Sequence, residues 1–139
     1  MILLDRSVLS RAFRRKRPEP AEASVLASLE ALMAGDAELG LPGIVLQEVL
    51  SGIRSEKQFS DLEQRLVAAF SIVHSTTADH VAAARLRNRC LAKGVNVSGT
   101  DCLIVTMAVA GGHELFAIDD DFKAIAKHAP LKLYRDPRP

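Results

Sequence analysis

The chain has 139 residues, which predicts a single domain spanning residues 1–139 and excludes a two-domain enzyme, since about 100 to 200 residues make one domain. Hydrophobic residues make up 48% of it but aromatics only 4%, with no Trp, so the core must be built from Leu, Val, Ile and Ala. Eighteen Lys and Arg against 17 Asp and Glu leave a formal charge of +1; with no global excess to announce nucleic acid or a membrane, any electrostatic message is local.

The opening MILLD is four apolar residues and an acid, without the basic start and long apolar run of a signal peptide. The most apolar later stretch, Leu103 to Gly112, is half the length needed to span a bilayer, so no membrane segment is expected. Cys90 and Cys102 lack CxxC spacing and are too few for a disulfide scaffold. They read as small core residues of a protein in a reducing cytoplasm.

In chain order, short apolar runs alternate with segments of helical period, the pattern of an α/β fold with a mainly parallel sheet. Strands are expected at Ile2 to Leu4, Glu38 to Leu41, Ser71 to His74, Glu114 to Ile118 and Leu131 to Tyr134. Between them, Ala21 to Ala34 repeats Val25, Leu26, Leu29, Leu32 and Met33 at helical spacing and stops at Gly35. Ile44 to Leu50, Lys57 to Phe70 and Asp79 to Lys93 are further helices. Thr100 is an expected N-cap for a central apolar helix, Asp101 to Ala110, which ends at a Gly pair.

Against this frame the acids fall after strands. Asp5 follows the first, Glu48 lies one helical turn beyond the second strand's Pro42, Asp101 opens the central helix and Asp119 ends the fourth strand. Ligands of open parallel sheets bind at the carboxyl ends of the strands, where these four residues would meet. Carboxylates about 5 Å apart repel by about 3 kcal/mol per pair at an effective dielectric of about 20. A hard cation answers that repulsion, and Mg²⁺ takes one or two carboxylates, keeps waters and completes its shell with substrate phosphate. Each acid also has a plainer reading. Asp101 suits the helix dipole and Asp5 caps a following helix. Glu48 is the most informative, because Ile44, Val45, Leu46, Val49 and Leu50 surround it in sequence and an unpaired carboxylate there is costly.

The segments MILLDRSVL, LPGIVLQEVLSGI and VNVSGTDCLIVTMAVAGGHELFAIDDDF, with the final short strand, together resemble a PIN-domain ribonuclease. Within that superfamily, length and spacing are most similar to the VapC toxins of bacterial type II toxin–antitoxin pairs. The resemblance implies a PIN-like three-layer α/β/α domain with a mainly parallel five-stranded sheet. It assigns catalysis to Asp5, Glu48, Asp101 and Asp119, and metal binding to Asp5, Asp101 and Asp119 with Asp121 in the D-x-D-F position. Asp120 is expected to face solvent. Two departures stand out. Arg6 replaces the Thr or Ser that usually follows the first acid, though Ser7 matches, and Ala117 replaces a hydroxyl residue near the end of the fourth strand. The Arg6 guanidinium either pairs with the carboxylates and competes with metal, or points away and grips phosphate.

The implied activity is a metal-dependent endoribonuclease using Mg²⁺, with Mn²⁺ as the alternative, in which water activated by the cation attacks phosphorus in line. RNA is the expected substrate, a cognate small antitoxin and a second copy of the chain the expected partners. Arg11, Arg14, Arg15, Lys16 and Arg17 offer a basic run for the RNA backbone, although such a run is equally a solvated helix end. His74, His80, His113 and His128 lack zinc spacing, and no GxSxG or Walker loop is present. A dehalogenase-type phosphatase would want an acid where Ser7 stands. A receiver domain, the other phosphotransfer rival, would want a Lys after its last strand near the acids. The remaining rival is a catalytically silenced PIN-like module that binds RNA or protein, with Arg6 blocking metal.

Overall fold

The structure, a computed structural model, describes residues 1–14 and 20–136. The elements are β1 (Ile2–Leu4), α1 (Arg6–Arg14), α2 (Pro20–Ala34), β2 (Leu39–Pro42), α3 (Gly43–Leu50), α4 (Glu56–Ala69), β3 (Ser71–Val73), α5 (Thr77–Ala92), α6 (Gly99–Gly111), β4 (Glu114–Phe116), α7 (Asp120–Ile125) and β5 (Lys132–Leu133). The strands form one sheet in the order β3-β2-β1-β4-β5 with every pairing parallel.

Parallel strands need covered faces, and this sequence supplies continuous apolar runs rather than alternation. Leu3, Leu4, Leu41 and Leu115 are fully buried at the sheet's centre. Gly40 is where β2 is tightest: a Cβ there would lie 2.8 Å from Leu3 Cδ2 and 3.1 Å from Val73 Cγ2. Right-handed crossovers put the helices of the β1–β2 and β2–β3 connections on one face and those of the β3–β4 and β4–β5 connections on the other. Packing agrees, since α1 meets α2 and α3, while α5 lies along α6 and α6 meets α7. The expected PIN-like three-layer α/β/α domain is therefore observed, with the sheet wholly parallel. The central helix is α6, whose residues Cys102 to Ala108 are all buried.

Several boundaries differ from the sequence expectation. Ser98, not Thr100, caps α6: its hydroxyl accepts from the Asp101 N–H at 3.1 Å, so the helix begins at Gly99. The S-x-x-D spacing places Asp101 at the third helical position, where a side chain can complete the cap. β4 stops at Phe116, because β1 pairs with it only to Leu4↔Phe116 and β5 only to Leu115↔Leu133. Asp119 accordingly caps α7 rather than ending a strand, its Oδ1 accepting from the Asp121 N–H at 3.0 Å. α7 is short but anchored by buried Phe122 and Ile125. Among the described residues no helix is long and apolar enough to cross a membrane. Cys90 and Cys102 are free and buried, as core residues.

Candidate active site at the carboxyl edge of the sheet

The strand order makes β1 and β4 neighbours whose following connections leave toward opposite faces. That is the topological switch point, and the crevice outside the carboxyl ends of these two strands is where an open α/β sheet takes its ligand. Asp5 stands at this point. Its N–H donates to Phe116 O at 3.0 Å, tying it to β4, and its C=O accepts from the Val8 and Leu9 N–H groups to start α1.

The Asp5 side chain is only 5% exposed. Its Oδ2 accepts from the Ser7 N–H at 3.0 Å and from Ser7 Oγ at 2.7 Å. Ser7 Oγ in turn accepts from the Ile118 N–H at 3.2 Å. Two donors thus hold Oδ2, while Oδ1 has no donor among the described residues. The carboxylate is thereby held in one orientation, and since no buried side-chain oxygen is left unpartnered among the described residues, Oδ1 keeps contact with solvent.

α6 and α3 begin at the same edge and bring the next acids. Asp101, in the first turn of α6, is pushed up to about 6, by burial first and then by the charges of Asp5, Asp119 and Asp121. The hydrogen bond with Ser98 opposes the rise. Glu48, half-buried on α3, is also raised: burial is the main cause, Asp5 adds to it and the Arg6 charge opposes it. Asp5 therefore feels both Asp101 and Glu48, and the structure gathers Asp5, Glu48, Asp101, Asp119 and Asp121 at one edge. Asp119 and Asp121 are exposed. Asp120, exposed as expected, pairs with Lys123 at 3.3 Å.

This is an all-oxygen set in which burial, and after it the neighbouring carboxylates, raise Asp101 and Glu48. Among the described residues no three acidic, His or Cys side chains close into a ready-made metal cage. Carboxylate oxygens without a His or Cys among them fit Mg²⁺ or Mn²⁺ better than zinc, because Mg²⁺ uses one or two carboxylates and retains water. The donor chemistry and the mutual repulsion at Asp101 both fit a hard divalent cation.

Arg6 is exposed and makes no ion pair with a described residue, so it does not clamp the carboxylates. Its charge is nonetheless felt at Glu48. Ala117 offers no hydroxyl, but Ser7 Oγ reaches the neighbouring Ile118 N–H. Of the basic run, Arg15, Lys16 and Arg17 lie outside the described residues, and the side chains of Arg11 and Arg14, on α1, do too. Sequence reasoning missed Ser98 and the Ser7–Ile118 bond. The S-x-x-D spacing signalled the first; the second joins residues 111 apart and carries no local signal.

Comparison with known proteins agrees with this architecture. The PIN domain family model matches residues 2–128. A chain of the VapBC2 complex of Rickettsia felis, bound to a DNA fragment from its promoter, superposes with a TM-score of 0.76 at 22% identity, covering 96% of this chain and 98% of that one. FitAcB from Neisseria gonorrhoeae gives 0.75 at 21% identity, with 97% of both chains covered. Mycobacterium tuberculosis VapC20, a toxin that cleaves the sarcin–ricin loop, gives 0.71 at 15% identity, with 89% of this chain and 94% of that one covered. At these identities the likeness is one of fold. With nearly its whole length matched by the family model, the chain belongs to the PIN domain family.

Proposed function

We propose that this protein is a metal-dependent endoribonuclease acting as the toxin of a toxin–antitoxin pair, with Asp5, Glu48, Asp101 and Asp119 as its catalytic acids. The observation that carries the reading is the placement of Asp5 at the switch point between β1 and β4, held there by Ser7, with Asp101, Asp119 and Asp121 near enough for their charges to be felt together. Carboxylates brought together at a switch point lower stability unless a cation answers them, which is the arrangement expected of a functional site. PIN domains are typically nucleases that use divalent metals.

Asp5, Asp101 and Asp119 would hold the cation, with Asp121 as a further ligand. A cation held there would supply Lewis-acid activation of the phosphodiester and of water, allowing hydrolysis at neutral pH. Asp5 is oriented for this by Ser7. Glu48, kept more basic than an ordinary carboxylate, is suited to accept a proton from the attacking water. The half-buried setting of Asp101 and Glu48 strengthens each of these interactions by limiting solvent. Arg6 leaves the acids unpaired, which favours the active enzyme over a silenced module. Its exposed guanidinium is suited to the RNA phosphate beside the cut. A small antitoxin is the partner, by analogy with the antitoxin complexes in which VapBC2 and FitAcB were crystallised, and a second copy of the chain is a further proposed partner.

Induced expression in a bacterial host tests the reading. Wild type arrests growth and creates new RNA 5′-phosphate ends, Asp101→Asn does neither, and co-expression of the adjacent small protein relieves the arrest. Arrest by Asp101→Asn equal to wild type would overturn it.

A further inference from the structure

The carboxyl edge carries a second feature beside the acids. Moving from Asp5 toward β3, the strand ends are those of β2 and β3, and there α3, α5 and α6 enclose a cleft. It consists of two adjoining cavities of about 470 and 310 Å³ that share Ile44, His80 and Leu103. Its wall runs directly into the acids. Gly99 and Thr100 precede Asp101 on α6, and Gln47 precedes Glu48 on α3. β3 is two strand spacings from β1, about 10 Å.

The lining has the opposite chemistry to its neighbour. No Asp or Glu lines either cavity, while Arg87, His74 and His80 do. Arg87 is fixed, its Nε donating to Val97 O at 3.0 Å, and its terminal amino groups have no partner among the described residues. His80 is held by Ser75, with Nε2 and Oγ 3.0 Å apart. The amides of Asn88 and Gln47 are exposed and unpaired among the described residues, each offering donors and an acceptor. Ile44, Leu103 and Ala83 provide an apolar surface between these groups.

An apolar surface flanked by free amides and a fixed guanidinium, next to a site for phosphodiester hydrolysis, matches a nucleobase and its phosphate. We propose that this cleft binds the unpaired nucleotide adjacent to the scissile phosphate, with Asn88 and Gln47 reading the base edge and Arg87 holding its phosphate. The inference rests on the nuclease reading and adds a specificity site to it. Amide side chains reach a base's pairing edge only when the base is splayed out, so the cleft selects single-stranded positions such as loops.

The test maps cut positions in a randomised single-stranded RNA pool with Mg²⁺, and measures binding of labelled A, C, G and U hexaribonucleotides by anisotropy in EDTA. Three proteins are compared: wild type, Gln47→Ala/Asn88→Ala, and Ala84→Phe, which fills the cleft from an exposed position. Wild type is expected to prefer one base beside the cut, both variants to flatten that preference about tenfold, and Ala84→Phe to weaken hexamer binding about tenfold. Cutting with unchanged preference in both variants overturns the cleft and leaves the nuclease reading standing. If wild type does not cut, that reading fails, and the anisotropy decides the cleft alone: unchanged binding in Ala84→Phe overturns it. A change of oligomeric state in Ala84→Phe would mean the cleft is an interface between copies, which also overturns it.

Discussion

Ser7 Oγ donates to Asp5 Oδ2 at 2.7 Å while accepting from the Ile118 N–H at 3.2 Å, so one hydroxyl joins the ends of β1 and β4 across the switch point. The bond sets the rotamer of a buried carboxylate and the path of the segment leading to Asp119. A hydrogen bond to a charged group is worth about 1.5 to 3 kcal/mol, and partners of metal-ligating groups typically carry about 10- to 100-fold in affinity or activity. Ser7→Ala should therefore lower unfolding stability by about 1.5 to 3 kcal/mol and RNA cleavage by about 10- to 100-fold. Ser7→Thr, which keeps the hydroxyl, should recover most of the activity. Equal activity in all three proteins would remove Ser7 from the site.

Asp101 makes stability depend on pH in a direction opposite to a salt-bridged acid. Its folded pKa of about 6 lies above the ordinary 3.8, so the folded state holds the proton longer. The stability it lends is complete below about pH 4 and lost as pH rises through 6. Asp101→Asn removes the penalty. The mutant's Tm should match wild type near pH 4 and exceed it at pH 7.5 by about 3 to 5 °C, equivalent to about 1 kcal/mol once partial solvent contact is allowed for. Saturating Mg²⁺ should narrow the gap by stabilising wild type alone. A pH-independent difference would contradict the assignment.

Arg6 lies close enough to hold Glu48 below the value that burial alone would set. The same positive charge opposes a divalent cation. Arg6→Thr should raise Mn²⁺ affinity a few-fold in a calorimetric titration, the scale of about 1 kcal/mol expected of a solvent-exposed charge. Weaker binding in the variant would instead give Arg6 a supporting role.

The Cys102 thiol is pushed up to about 11, by burial first, then by Cys90 and Asp101, with Arg87 opposing. Thiolates, not thiols, react with alkylating agents. At pH 8 iodoacetamide should leave both cysteines unmodified in the native protein and label both in urea, as read by intact mass. Labelling of the folded chain would contradict their place in the core.

Much of the fold is legible in the sequence because its signals are local. β1 at Ile2–Leu4 reads directly from an apolar run ended by an acid, and α6 from a mostly apolar segment closed by glycines. Boundaries set by partners are not legible. β4 ends at Phe116 because its neighbours end there, and nothing in the run Ala117 to Asp119 announces it. The S-G-T-D stretch holds two hydroxyl residues suited to capping, and only helical geometry selects Ser98. The acids are visible as residues following strands. Which of them sense one another depends on the order β3-β2-β1-β4-β5, which no local pattern encodes.

The most direct test of the central claim is cleavage of a defined pool of structured RNAs by purified, antitoxin-free protein in Mg²⁺ or EDTA, with end mapping, comparing wild type with Asp119→Asn. Fragments bearing 5′-phosphates and 3′-hydroxyls should form with wild type only when the cation is present and vanish in the variant. Cleavage that persists in EDTA, or at equal rate in Asp119→Asn, would contradict it.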